Sequence, residues 1–153
     1  MSLFGKKWGE RYLDVCDVVA SWSKDPSTKV GAVCVGKDGQ ILSQGYNGFP
    51  RGIRDTPNRL NDKETKYKYV VHAEMNAIYN ATLNGQSLKG STMFIKGLPV
   101  CHECAKAIVQ VGIRMVVAEV PEEKENWKES GDLATRIFKE AEVSYIIRRK
   151  END

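Results

Sequence analysis

A chain of 153 residues with 41% hydrophobic and 28% charged side chains is about one domain long, and residues 1–153 read as one domain. The formal charge of +3, with acids and bases interspersed, is too weak for a protein that coats nucleic acid, and it suits a small anionic substrate. No run approaches the roughly 18 apolar residues of a membrane span, and Met1 to Lys7 has no signal-peptide pattern, so no membrane partner and a cytoplasmic location are expected.

Trp8, Tyr12, Val15, Val19 and Trp22 recur at helical spacing and predict an amphipathic helix whose aromatics lie in the core. Lys24-Asp25-Pro26-Ser27 stops it, because proline cannot continue the hydrogen-bonded ladder. Val30 to Val35 and Ile41 to Tyr46, on either side of the turn residues Lys37-Asp38-Gly39-Gln40, predict an antiparallel hairpin. Gly45 to Gly52 and the polar segment after it predict a long surface loop to about Lys68, with most of its basic residues Arg51, Arg54, Arg59, Lys63, Lys66 and Lys68 solvated. A helix over Ala73 to Ala81, a strand over Thr92 to Lys96 and a helix over 101–111 stopped by Gly112 come next. A strand over Arg114 to Ala118 leads to a helix over Asn126 to Glu140 that buries Leu133, Ala134, Ile137, Phe138 and Ala141. Val143 to Arg148 closes the chain as an edge strand. The order predicts an α/β fold: a mixed five-stranded sheet with helices on both faces. Cys16 and Cys34, within apolar patterns, are expected to be reduced packing residues.

His72-Ala73-Glu74 and Cys101-His102-Glu103-Cys104 carry the chemistry. His72, Cys101 and Cys104 make three zinc ligands, one zinc per chain, and three ligands leave a fourth tetrahedral position open, as catalytic sites require. Glu74, two residues past His72, is placed to act as a general acid and base without being a ligand. Both halves fall at predicted helix starts, whose partial positive charge favours thiolates. His102 projects elsewhere and is read as a non-ligand, and Glu103 as an exposed first-turn acid.

His72 to Ile78 and Cys101 to Lys106 resemble the zinc motifs of the cytidine and deoxycytidylate deaminase superfamily. Lys24 to Val33, Gly45 to Pro50 and Lys66 to Val70 resemble deoxycytidylate deaminases in particular. The resemblance implies a three-layer α-β-α fold and zinc-dependent hydrolysis of dCMP to dUMP with release of ammonia. It places Asn47 on the sugar and counts Ala73 among the substrate-binding residues, and Thr28 and Lys29, with Arg51 and Arg54 behind them, are the candidates for the phosphate. It also implies a homo-oligomer, a hexamer or dimer, with dCTP and dTTP as effectors and magnesium accompanying the regulatory nucleotide. One departure stands out: the family usually has proline immediately before the first cysteine, whereas here Val100 holds that place and Pro99 precedes it. Two other readings stay open from sequence: a deaminase of another base, such as tRNA adenosine or a free nucleobase, and a zinc-bound structural module without activity.

Overall fold

The computed structural model describes residues 5–121 and 128–149. Helix α1 (Lys6–Ala20) precedes the hairpin of β1 (Gly31–Val35) and β2 (Ile41–Tyr46). Two short helices follow, α2 (Pro57–Asn61) and α3 (Lys63–Tyr69), and then α4 (Ala73–Leu83) and β3 (Thr92–Lys96). The chain ends in α5 (His102–Gln110), β4 (Met115–Val120), α6 (Lys128–Glu140) and β5 (Ser144–Arg149). The predicted start of α6 at Asn126 lies outside the described residues.

The five strands form one sheet in the order β2-β1-β3-β4-β5, and β5 takes the expected edge. β1 is antiparallel to both β2 and β3, while β3, β4 and β5 run parallel, so the sheet is mixed as predicted. Alternation along the strands splits the core in two. Val33, Val35, Phe94 and Val117 pack with Tyr12, Leu13, Cys16 and Val19 of α1. Ala32, Cys34, Met93, Ile95, Val116 and Ala118 face the opposite way, against Ala77 and Ile78 of α4, Ala105 and Ile108 of α5, and Ala134 and Phe138 of α6. Cys16 and Cys34 are buried free thiols.

The long loop expected up to Lys68 is instead partly helical. Thr56 caps α2, its hydroxyl accepting from the Arg59 amide at 3.3 Å, and Pro57 occupies the first turn, where a missing N–H costs nothing. The first helix also differs from expectation: it ends at Ala20, and Trp8 within it and Trp22 beyond it are 49% and 53% exposed. A helix lying on a sheet buries only one stripe, and here that stripe runs through Tyr12, Leu13, Cys16, Val19 and Ala20. Trp8 instead lies under the Arg11 guanidinium, and Trp22 meets the edge of Tyr46. In α6, Ala134 and Phe138 are buried, but Leu133 and, just past the helix, Ala141 are exposed.

Helix α5 ends as predicted at Gly112. The Ile113 and Gly112 amides donate back to the Ile108 and Val109 carbonyls at 3.3 and 3.1 Å, and Gly112 takes the left-handed φ of 84° that this closure needs. Helix α4 sits unusually close to the sheet. A Cβ on Gly45 would fall 2.3 Å from the Ala77 amide nitrogen, so only glycine allows strand β2 and helix α4 to approach this far. The contact is reinforced from the helix: Asn76 Nδ2 donates to the Tyr46 carbonyl at 2.8 Å and Asn80 Nδ2 to the Gln44 carbonyl at 2.7 Å. Phe138, fully buried and edge-on to Tyr145 at 4.9 Å, fastens α6 to β5. Phe138→Ala is expected to cost about 3–5 kcal/mol of stability, read by denaturant unfolding at fixed metal concentration.

Candidate metal centre and substrate cavity

The antiparallel pairing of β1 decides what meets at the site. Gly31 at the start of β1 pairs with Tyr46 at the end of β2 and with Lys96 at the end of β3. The segment entering β1 and the segments leaving β2 and β3 are therefore brought to one end of the sheet. That end is the carboxyl end of the parallel strands, where open α/β sheets form their binding crevices.

His72 and Cys101 are the residues immediately before α4 and α5, both with extended backbone. His72 makes no capping hydrogen bond, so its ring is left to face the cysteines. Its Nδ1 lies 3.5 Å from Cys101 Sγ and 3.4 Å from Cys104 Sγ. Zinc–nitrogen and zinc–sulfur bonds at a tetrahedral angle would set such atoms about 3.6 Å apart, so the donor set fits a zinc ion. Cys101 Sγ also accepts from the Cys104 amide at 3.4 Å, at a helix start, where thiolates are stabilised. Hydrogen bonding from Cys104 and His72 pulls the Cys101 thiol down to about 4, and burial opposes it only partly. The hydrogen bond to Cys101 raises the His72 pKa.

Glu74, 4% exposed, is in the first turn of α4, two residues past His72. Burial pushes its carboxyl up to about 6, with the neighbouring His72 charge pulling the other way. His102 turns away, as expected: its backbone N–H and Nδ1 both meet Ser130 Oγ, at 3.0 and 2.9 Å. Glu103 is exposed and pairs with Lys106 at 2.9 Å.

A cavity of about 450 Å³ opens over this centre, within the usual range for small-molecule sites. His72, Ala73, Glu74 and Cys101 form one part of its lining, and Thr28 and Asn47 another. The Asn47 side chain accepts from the Val30 amide at 2.9 Å and donates to the Thr28 carbonyl at 2.9 Å, so it clamps the segment entering β1 while facing the cavity. Lys29, Arg51 and Arg54 are exposed and are not among the lining residues; Arg51 donates to Asn80 Oδ1. The cations that do line the cavity are Lys63 and Lys66, on the segment expected to be a solvated loop. Lys66 is 6% exposed and pairs with Asp25 at 3.2 Å. No local pattern marks it: Lys63 and Tyr69, three residues to either side of Lys66 and so on the same face of α3, are both exposed. At the departure before Cys101, Val100 is buried in the core and its N–H donates to Tyr145 Oη at 3.3 Å, a bond proline cannot make, while Leu98 and Pro99 line the cavity.

A sheet covered by α1 on one face and by α4, α5 and α6 on the other, with a His-Cys-Cys cluster at its open end, defines a metal-binding α/β protein. The chain belongs to the cytidine and deoxycytidylate deaminase family: the sequence model of the cytidine and deoxycytidylate deaminase zinc-binding region matches residues 6–120. It is 40% identical to the deoxycytidylate deaminase of Mus musculus, over 91% of this chain and 78% of the mouse protein. An uncharacterized deaminase of Aliivibrio fischeri is 38% identical, over 90% of both chains. The crystal structure of a dCMP deaminase from the cyanophage S-TIM5 superposes with a TM-score of 0.74 at 25% identity, over 94% of this chain and 99% of the phage chain. No helix among the described residues is long and apolar enough to cross a membrane.

Proposed function

We propose that this protein is a zinc-dependent deaminase that hydrolyses dCMP to dUMP and ammonia, supplying dUMP for thymidylate synthesis. The observation that carries the reading is Glu74, a buried carboxyl lining the same cavity as His72 and Cys101 of a His-Cys-Cys donor set. A structural zinc site has no need of an acid–base group there, which counts against the inactive module. Likeness to named deoxycytidylate deaminases over most of the chain supports dCMP as the substrate.

His72, Cys101 and Cys104 would hold the zinc. When bound, zinc supplies Lewis acidity that makes hydroxide available near neutral pH. Glu74 takes the proton from the attacking water and passes it to the ring nitrogen beside the attacked carbon, and it then assists departure of the amino group as ammonia. Burial keeps bulk water from competing for that proton. Asn47, Thr28 and Ala73 line the cavity where the sugar and base would lie, and Lys29, Arg51 and Arg54 stay outside it. The same family reading includes a homo-oligomer, dimer or hexamer, with dCTP and dTTP effectors and magnesium with the regulatory nucleotide, and a cytoplasmic location goes with the lack of a signal-peptide pattern at Met1 to Lys7. The support for the effectors is the resemblance of Gly45 to Gly52 to the regulatory region of the family.

Ammonia release from dCMP, dCTP, deoxycytidine, cytosine and a tRNA anticodon stem tests the substrate. Turnover should be greatest with dCMP; none with dCMP alongside turnover of another substrate would show that the assignment is wrong.

A further inference from the structure

Lys66 is the only buried lysine or arginine among the described residues, and it lies in the wall of the cavity. Its ammonium has three protons to donate. Asp25 Oδ1 at 3.2 Å and Ser27 Oγ at 3.3 Å take two, which leaves the third for a group within the cavity. Asp25 is itself heavily engaged: the same Oδ1 accepts from the Ser27 amide at 2.8 Å and the Thr28 amide at 3.1 Å. Much of its charge is therefore met inside its own loop, and the lysine is correspondingly less compensated. Lys63 lines the same wall, and the two ammonium groups lie 5.7 and 5.6 Å from the Tyr67 ring. The other carboxyl in the lining is Glu74, beside the metal ligands.

A buried ion pair stabilises a fold little more than apolar side chains of the same volume would. The presence of one in a cavity wall, aligned by three donors on one carboxylate oxygen, is better explained by something the pair binds. We infer that Lys66 is the phosphate-binding residue of this site, oriented by Asp25 and aided by the Ser27 hydroxyl, and that it makes the enzyme select a nucleoside monophosphate over the nucleoside. Lys63 adds a second, exposed cation at the mouth. The inference rests on the dCMP reading and replaces Lys29, Arg51 and Arg54 as the phosphate contacts, since none of these lines the cavity.

The test compares kcat/KM for dCMP and for deoxycytidine in the full-length, zinc-loaded enzyme, together with inhibition of dCMP turnover by inorganic phosphate. In Lys66→Met the ratio of the two kcat/KM values should fall about 10- to 100-fold, the reach of one charge-assisted hydrogen bond, and phosphate inhibition should weaken in parallel. Lys66→Arg keeps the charge and should restore most of the ratio, a rescue that a packing role would not give. An unchanged ratio and unchanged phosphate inhibition in Lys66→Met would overturn the assignment. Should Lys66→Met not fold, because Asp25 is left buried without its partner, the pair Asp25→Asn and Lys66→Met removes both charges and is judged by the same ratio. Wild-type enzyme that turns over another substrate but not dCMP would refute the substrate reading itself; dCMP turnover with a ratio insensitive to Lys66 would refute only the role of the lysine.

Discussion

Glu74→Gln should lower the rate of ammonia release about 10²- to 10⁴-fold while leaving one zinc per chain. The size follows from the lack of a substitute. The other carboxyl in the cavity lining, Asp25, is committed to Lys66 and to the Ser27 and Thr28 amides. Glutamine has nearly the volume of glutamate and fits the first turn of α4 without moving His72, but its amide cannot carry a proton from water to the ring. The loss should therefore appear in kcat, with KM for dCMP little altered. Zinc measured by atomic absorption separates this from damage to the metal site. Near wild-type turnover in the variant would assign the proton transfer elsewhere.

Cys101→Ala is expected to have the larger structural effect. It takes one of three donors from the centre and the sulfur acceptor from the Cys104 amide at the start of α5. Two remaining donors cannot hold zinc against dilution, so the zinc content should fall from one per chain to near none and turnover should disappear with it. Because the ligands lie at the starts of α4 and α5, 29 to 32 residues apart in sequence, the metal ties those two helix ends together. Metal binding that requires the folded chain adds to folding stability. The thermal midpoint of the variant should therefore match that of wild-type protein treated with a chelator, and chelator should shift the variant little further. A Cys101→Ala protein that retained one zinc per chain would contradict the ligand set.

The metal centre is legible in the amino-acid sequence because its parts are short-range patterns. His-x-Glu and Cys-x-x-Cys fix their own local geometry once each begins a helix. The strands are equally plain, as runs of β-branched residues between turns. What no local pattern carries is strand order. The hairpin supplies the β1–β2 pairing, but the placement of β1 beside β3, antiparallel to it, comes from long-range packing, and it carries Asp25, Thr28 and Asn47 to the zinc ligands. For that reason charge along the chain points to Lys29, Arg51 and Arg54, whereas folding buries Lys66. Trp8 and Trp22 depart from expectation for a related cause: helical periodicity tells which residues share a face, but not how far the sheet beneath extends. The short helices α2 and α3 are hidden by their polar composition, although Thr56-Pro57 is a helix-start pair.

The asparagines of α4 that bond to β2 bear on how the molecule avoids sticking to itself. β2 is an edge strand, and the outward carbonyls of an edge strand are a template on which a foreign strand can add. At Gln44 and Tyr46 those acceptors are already taken by Asn80 and Asn76, so the helix above the edge shields it. The opposite edge, β5, has no such cover among its described contacts with α6; there Arg148 and Arg149 supply the charges that discourage strand addition. Loss of the two asparagine side chains would thus open β2 as a nucleus for aggregation, with the sheet interior otherwise untouched.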